Sequence, residues 1–205
     1  MRPLIHPAVR TSAFLVLLLA PAPARLAAQT FTAALGATAS TRLLHDQIVS
    51  GIDVQPKVAP TLNLRAEKGL AHGYGINAEL GITSGGLKIR ENGVSRDFVS
   101  LRTVSLTGGA DGRFILGTRW RLGVGAIKYF PSRHEGLFLQ GGPTEIIGGA
   151  GLDYSWKVRP PFALVVAARY DYHRFTTAEL KSRGFFRTEN VHRVALTFGI
   201  SWLKS

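Results

Sequence analysis

Hydrophobic and polar residues alternate with a period of two along most of the chain, which predicts β-strands that have two chemically different faces. The C-terminal segment shows this pattern most clearly. One of its faces carries Val194, Leu196, Phe198, Ile200 and Trp202, and the other carries Arg193, Ala195, Thr197, Gly199 and Ser201. The pattern fits eight times, and the predicted strands are 30–40, 54–67, 74–84, 98–114, 119–130, 144–156, 162–175 and 190–202.

The predicted connections alternate in length along the chain. Segments 41–53, 85–97, 131–143 and 176–189 are long, whereas 68–73, 115–118 and 157–161 are short. Strands of about ten residues or more can cross a bilayer at a tilt, and the strands of soluble sandwiches are shorter. We therefore predict an all-β fold, an eight-stranded antiparallel up-and-down transmembrane β-barrel with short periplasmic turns and long outer loops.

The strands of a membrane barrel and of a soluble lipocalin-like carrier both alternate between apolar and polar residues. The direction in which the charged face points therefore decides between them. The apolar faces are nearly free of charge, and their exceptions, Arg102 and Lys128, fall at outer strand ends level with lipid phosphates. Opposite charges balance on the other face, where Asp153 and Asp171 are expected to partner Arg121 and Arg169. Besides Lys57 and Glu145, that inward face carries a predicted polar network of Arg65, Glu67, Glu79, Asp111, Arg113, Arg121, Asp153, Arg169, Asp171 and Arg193.

Aromatic residues sort by strand direction, as a membrane girdle requires. They begin the strands that run outward and end the strands that run back, so the three tryptophans share the periplasmic rim. Phe130, Tyr170 and Tyr172 lie toward the outer rim. The predicted periplasmic girdle comprises Phe31, Tyr74, Trp120, Tyr154, Trp156, Phe162 and Trp202. Pro60 interrupts the second predicted strand, so we expect it at a bulge or near the outer end.

The first 28 residues have the pattern of a secretory signal peptide. The first ten residues carry Arg2 and Arg10, residues 13–20 form an apolar run, and cleavage is predicted after Ala28. The predicted division is thus 1–28 signal peptide and 29–205 barrel domain. The apolar run is about half the roughly 20 residues that a spanning helix needs, and no later segment comes closer. We therefore expect export to the outer membrane of a Gram-negative cell envelope.

Composition narrows the possible chemistry. The chain has no cysteine, which rules out a disulfide, a thiolate zinc site and a lipid-modified cysteine. Its formal net charge is +12, yet the cations form no run and are not interleaved with stacking aromatics. The expected acidic partner is accordingly the phosphate-rich outer leaflet, with its lipopolysaccharide, rather than nucleic acid. No cofactor is expected.

His173 is the one candidate for hydrolytic chemistry. It lies on an inward face near the outer end, with Asp171 two residues before it and Glu145 at a similar height in the adjacent strand. A catalytic base needs a nucleophile within hydrogen-bond reach, and the nearby hydroxyls are those of Thr176 and Thr177. No two of the histidines outside the leader have metal-ligand spacing. We therefore predict no catalytic and no metal site.

The leader, the eight alternating strands and the terminal segment 193–202 together resemble the small outer-membrane β-barrel family of the OmpX type and the OmpA transmembrane domain. The resemblance implies a monomer that meets periplasmic chaperones and the barrel-assembly machinery during biogenesis. Three residues follow Trp202 here, whereas that family usually ends on an aromatic residue. Some barrels of this size deacylate or acylate lipid A, but 173–175 do not reproduce the deacylases' His-x-Ser arrangement. The predicted role is structural or surface-interactive, with a filled bore; a lipid A-modifying enzyme and a periplasmic carrier are the alternatives.

Overall fold

The computed structural model describes residues 29–46, 52–91, 93–115, 117–182 and 188–204. The predicted signal peptide lies outside these ranges and stays a prediction. Among the described residues no helix is long and apolar enough to cross a membrane. The described elements are β1 Gln29–Ser40, β2 Leu44–Asp46, β3 Ile52–Pro56, β4 Ala59–Gly69, β5 Tyr74–Glu91, β6 Val94–Arg113, β7 Thr118–Pro131, β8 Thr144–Arg159, β9 Phe162–Phe175, α1 Ala178–Ser182 and β10 Glu189–Lys204.

Eight of these strands form a closed antiparallel ring, which confirms the predicted barrel. Strand β1 pairs with β10 on one side and with β4 on the other, and the β5–β6 pairing completes the circle. Phe31 lies opposite Trp202, so the two ends of the described chain close the barrel side by side. Ring closure leaves no free sheet edge within the ring, so these strands pair their backbone amides and carbonyls on both sides.

Two predicted loops are wrong in part, because the sheet continues beyond the ring at its outer end. The predicted loop 41–53 contains β2 and the start of β3, and the predicted loop 85–97 is mostly strand, since β5 runs to Glu91 and β6 begins at Val94. The pairing extends this far because alternate residues of β5 and β6, namely Leu87, Ile89 and Val99, bury apolar side chains. Apolar burial is therefore available above the ring as well as within it.

The second predicted strand is divided in two. Strands β3 and β4 both pair with β5, and Lys57 and Val58 separate them. Pro60 lies just after this break, opposite Ala37 near the outer end of β1, where the sequence pattern expected it. A residue without an N–H group is tolerated there because the regular ladder is already interrupted.

The opposite end of the ring is closed by short turns. In the β6–β7 turn the Phe114 amide donates to the Thr118 carbonyl at 2.9 Å, and Gly117 has a φ of 83°. Glycine is the residue that adopts this left-handed conformation without strain. The tight turns and both ends of the described chain thus share one end, and the longer connections share the other.

The outer surface of the ring is apolar. Large hydrophobic side chains with more than half of their surface exposed include Leu35, Leu122, Val124, Ile146, Leu196 and Phe198. An apolar band of this kind, on strands whose other face is charged, is the arrangement of a barrel that faces lipid with its outside.

Candidate functional site

Seven charged side chains form one continuous chain of ion pairs inside the ring. Arg121 contacts Glu79 and donates to Asp153 Oδ1 at 2.7 Å, while Arg65 Nη1 approaches the second oxygen of Asp153 at 2.7 Å. At the other end of the chain, Arg169 lies 2.6 Å from Glu79. In spatial order the members are Glu67, Arg65, Asp153, Arg121, Glu79, Arg169 and Asp171.

Three further charges bring the interior into balance. Arg193 is buried and donates to the hydroxyls of Thr83 and Thr103 at 3.1 and 3.2 Å. Asp111, which is fully buried, forms an ion pair with Arg119. Among the described residues, the interior thus holds five arginines and five carboxylates. Balance matters because an unpaired charge in a closed interior carries a large desolvation cost.

Arg113 is the one member of the predicted polar network that the structure places elsewhere. Its side chain is exposed at the end of β6, and no ion pair is found for it among the described residues. Arg119, which lies directly opposite Arg113 on β7, reaches Asp111 instead. The two arginines share a face, so the alternation alone does not tell which of them turns toward the carboxylate.

The outer part of the bore is filled by an apolar cluster rather than by charge. Inward side chains of the ring, such as Leu101, Ile127 and Ile147, pack there against loop residues that include Leu43 and Phe138. Phe138 comes from the β7–β8 connection and lies edge-on to Phe175, with ring centroids 6.3 Å apart. We call this cluster the outer cap; its members are Leu43, Val54, Leu87, Ile89, Val99, Leu101, Ile127, Tyr129, Phe138, Ile147, Phe175 and Val191.

His173 lies beside the outer cap, level with Ile147 and Val191, and has a phenol as its partner. The Tyr129 hydroxyl contacts His173 Nε2, and both side chains are almost completely buried. Within the described part of the chain, Nδ1 of the same imidazole has no hydrogen-bond partner. Asp171 is engaged by Arg169, so the structure does not bring a carboxylate to the imidazole. Among the described residues, His173 thus forms a buried pair with Tyr129 and is hydrogen-bonded to no serine or threonine hydroxyl.

Replacing Tyr129 by Phe should lower the free energy of unfolding by about 1–3 kcal/mol, because it removes the one hydrogen-bond partner that the described residues give to a buried imidazole. Urea unfolding of the protein in lipid vesicles would measure this. The matched control is Tyr154→Phe, since that ring is exposed at the other end and its hydroxyl has no partner among the described residues. Equal midpoints for the two variants would contradict the importance of the Tyr129–His173 contact.

Lys57 and Asp97 form an ion pair in the part of the sheet that extends above the ring. The Lys57 Nζ atom lies 2.8 Å from Asp97 Oδ1, and the hydrogen bond and charge of Lys57 hold the pKa of the Asp97 carboxyl below its ordinary value. A lowered pKa in the folded state means that the pair stabilises the fold above the ordinary pKa. This stabilisation is lost as the pH falls through the lowered value.

We expect Lys57→Gln to raise the pKa of Asp97 back toward its ordinary value, and a carboxyl carbon NMR titration would detect the change. Arg96→Gln is the control, because it removes a neighbouring cation that pairs with Glu91 instead. An Asp97 titration that is the same with and without Lys57 would show that the two side chains do not interact in solution.

Aromatic side chains mark both borders of the apolar band. At the end with the short turns, Phe31 packs with Trp202 at 6.5 Å between centroids, and Tyr74 packs with Trp120 at 6.3 Å. Tyr154 and Trp156 are 4.5 Å apart, and Phe162 lies opposite Trp202. Six of these seven rings are exposed and Trp120 is half-buried. They form a belt on the outer surface.

The other border is polar as well as aromatic. Tyr170 and Tyr172 are exposed on β9, and their hydroxyls meet His192 Nδ1 at 2.6 Å and Asn190 Oδ1 at 2.8 Å on β10. His192 is ten residues from Trp202 along β10. Ten residues of a strand tilted by about 40° rise about 25 Å, which matches the height of the apolar band in outer-membrane barrels.

The described residues contain no group of three or more His, Asp or Glu side chains placed to hold a metal ion. The sequence pattern also missed the outer cap. The cap residues that belong to the ring lie on inward faces, and the sequence shows that they are apolar. Their partners come from the loops, where hydrophobic residues follow no regular period.

Taken together, a closed eight-stranded ring, an apolar outer band with aromatic borders and a charge-balanced bore define the fold of the small outer-membrane β-barrel proteins. No protein-family model and no curated protein matches the sequence. Solved structures do: Neisserial surface protein A is 12% identical, with a TM-score of 0.56 and coverage of 85% of this chain and 96% of that one.

Two further solved structures are similar. The outer membrane protein AlkL, determined in DMPC lipid bilayers, is 12% identical with a TM-score of 0.56, over 86% of this chain and 90% of that one. Ail, the attachment invasion locus protein of Yersinia pestis, is 17% identical with a TM-score of 0.49, over 86% of this chain and 99% of that one. At these identities the likeness to the first two shows the fold.

Proposed function

We propose that the chain is an integral protein of the bacterial outer membrane with a structural or surface-interaction role, and that it has neither an open pore nor an enzymatic activity. The observation that carries this proposal is the filled interior beneath an apolar exterior. Buried ion pairs occupy the part of the bore toward the short turns, and the outer cap, of which Tyr129 is a member, occupies the outer part. Solvent contact is then left to the loops and the sheet extension at the outer end.

The partners follow from this placement. The apolar band would meet lipid, and the outer border would meet the phosphate-rich leaflet of lipopolysaccharide, to which a basic protein is attracted. Periplasmic chaperones and the barrel-assembly machinery would handle the chain during biogenesis. We propose that the folded protein is a monomer, since its closed ring offers no free strand edge to a second copy.

Membrane fractionation combined with gel mobility before and after heating tests this proposal. A folded outer-membrane barrel stays in the membrane fraction and shifts its mobility on heating. A soluble lipocalin-like carrier would instead leave the membrane fraction, which would overturn the proposal.

Mass spectrometry of lipid A after expression tests the enzymatic alternative. We expect the acylation of lipid A to be the same with and without the protein, because His173 is buried against a phenol and lacks an activated nucleophile. The matched control is expression of His173→Gln. A change in acylation that disappears in this variant would establish a lipid A-modifying enzyme.

A further inference from the structure

Arg193 is the one arginine of the described interior that forms no ion pair. It is 7% exposed and lies opposite Asp171 in the β9–β10 pairing, but Arg169 engages the carboxylate of Asp171. Among the described residues, its hydrogen bonds run from Nη2 alone, to the hydroxyls of Thr83 and Thr103. A guanidinium group carries five N–H donors, so three of them are left for another acceptor.

A small cavity of about 30 Å³ lies beside Arg193, where the polar part of the bore meets the outer cap. A single water molecule needs about 10–15 Å³, so the cavity has room for one small ion. Half of the lining residues are cations or carry hydroxyls: Lys57, Arg193, Thr38, Ser40, Thr83, Thr103 and Tyr129. The others are apolar residues and two glycines, and none of the described lining residues is Asp or Glu. The lining is therefore suited to an anion and not to a cation.

The hydroxyls of this lining have hydrogens to donate. Thr103 accepts a hydrogen bond from Arg193, so its own hydrogen is available to another acceptor. Thr38 is buried and Ser40 is half-buried, and no hydrogen bond from either hydroxyl to another described residue is found. Donors that converge on a cavity of low dielectric hold an anion more strongly than the same donors would in water.

The small cavity adjoins a larger one at the outer end. The larger cavity, of about 260 Å³, shares Lys57, Gly86 and Leu87 with it. The Lys57 side chain is 36% exposed, so a cation stands between the two cavities and the medium. This adjacency gives an anion from the medium a path to Arg193, and the charge of Lys57 favours its entry.

We propose that the cavity beside Arg193 is a binding site for one monatomic anion of halide size, with chloride as its natural ligand. Arg193 supplies the opposite charge and N–H donors, and the hydroxyls of Thr38, Ser40 and Thr103 complete the shell. The bound anion gives Arg193 the counter-charge that Asp171 gives to Arg169. It therefore stabilises the junction between the ion pairs and the outer cap, because a buried charge without a partner is costly.

Urea unfolding in lipid vesicles tests this, with sodium bromide or chloride compared with sodium gluconate at equal ionic strength, since gluconate is too large for the cavity. We expect the halide to raise the wild-type midpoint until the effect saturates, by about 1 M urea at about one hundred times the dissociation constant. Arg193→Gln should lose this rise. The matched control Arg113→Gln removes an exposed arginine at the other end of the barrel and should retain it.

Crystals of the wild type grown with sodium bromide locate the ion without any substitution. We expect an anomalous-scattering peak within hydrogen-bond distance of the Arg193 guanidinium group. Thr103→Val is the second variant, and it decides the solution test if Arg193→Gln does not fold. It keeps the size of the side chain and removes one hydroxyl of the shell, so the half-saturating bromide concentration should rise about tenfold.

Three results would overturn the site. A bromide peak at Arg193 without a saturable rise of the midpoint would mean an adventitious ion only. An equal rise in folded Arg193→Gln, or an unchanged half-saturating concentration in Thr103→Val, would mean a general effect of salt on the protein. Absence of the peak at Arg193 would show that no halide occupies the cavity. The heat-dependent mobility shift identifies the folded samples, so failure of the anion site and failure of the proposed membrane barrel are distinguishable.

Discussion

Arg121→Ala should lower the free energy of unfolding by about 3–5 kcal/mol, the range found when one partner of a buried ion pair is removed. The Arg121 side chain is 6% exposed and joins Glu79 to Asp153. Without it, two arginines remain in a chain of ion pairs that still holds four carboxylates. Those carboxylates lie in a closed interior, where water cannot replace the lost guanidinium group.

Urea unfolding in lipid vesicles would measure this change, with Arg113→Ala as the matched control. Arg113 is exposed and unpaired within the described ranges, so its removal should change stability by less than about 0.5 kcal/mol. Arg169→Ala should resemble Arg121→Ala, because Arg169 contacts Glu79 and Asp171. Wild-type midpoints for both interior variants would show that the charged face is not the inside of the barrel.

Leu196→Arg should destabilise the protein in lipid vesicles by about 2–4 kcal/mol, the cost of an arginine near the midplane on the lipid face of a barrel. Leu196 is 63% exposed and lies between Trp202 and His192, which mark the two borders on β10. Exposure to water would make such a substitution harmless, whereas exposure to hydrocarbon makes it costly.

The matched control for this substitution is Val94→Arg. Val94 is 69% exposed, but it lies in the sheet extension above the ring, so the same change should cost less than about 0.5 kcal/mol. Equal and small effects at the two positions would indicate that water, not lipid, covers the outer surface of the barrel.

The strand faces could be predicted because side chains alternate with a period of two. A shift of the strand register by one residue would turn charged side chains such as those of Arg169 and Asp171 toward lipid. Strand β9 has the predicted bounds, and the ring closes through β1 and β10. Strand ends were harder to predict. The β5–β6 hairpin extends into a predicted loop because it buries Leu87 and Val99 above the membrane band.

The contacts inside the barrel could be predicted where the alternation along each strand determines which side chains face inward. They could not be predicted where segments distant in the sequence meet. Asp153 and Asp171 face Arg121 and Arg169 through neighbouring positions on the same inward surface. The choice of Arg119 over Arg113 depends on a side-chain conformation rather than on a period. The outer cap depends on Phe138, which a loop brings over the bore, and contacts between loops leave no periodic signal in a sequence.

A filled bore inside a lipid-facing ring is the central claim, and planar-bilayer recording of the reconstituted protein tests it most directly. Eight strands enclose an interior that side chains can fill, and here the ion pairs and the outer cap occupy it. Protein whose insertion is verified by the heat-dependent mobility shift should give no sustained ohmic conductance. A steady conductance of porin size would contradict the account.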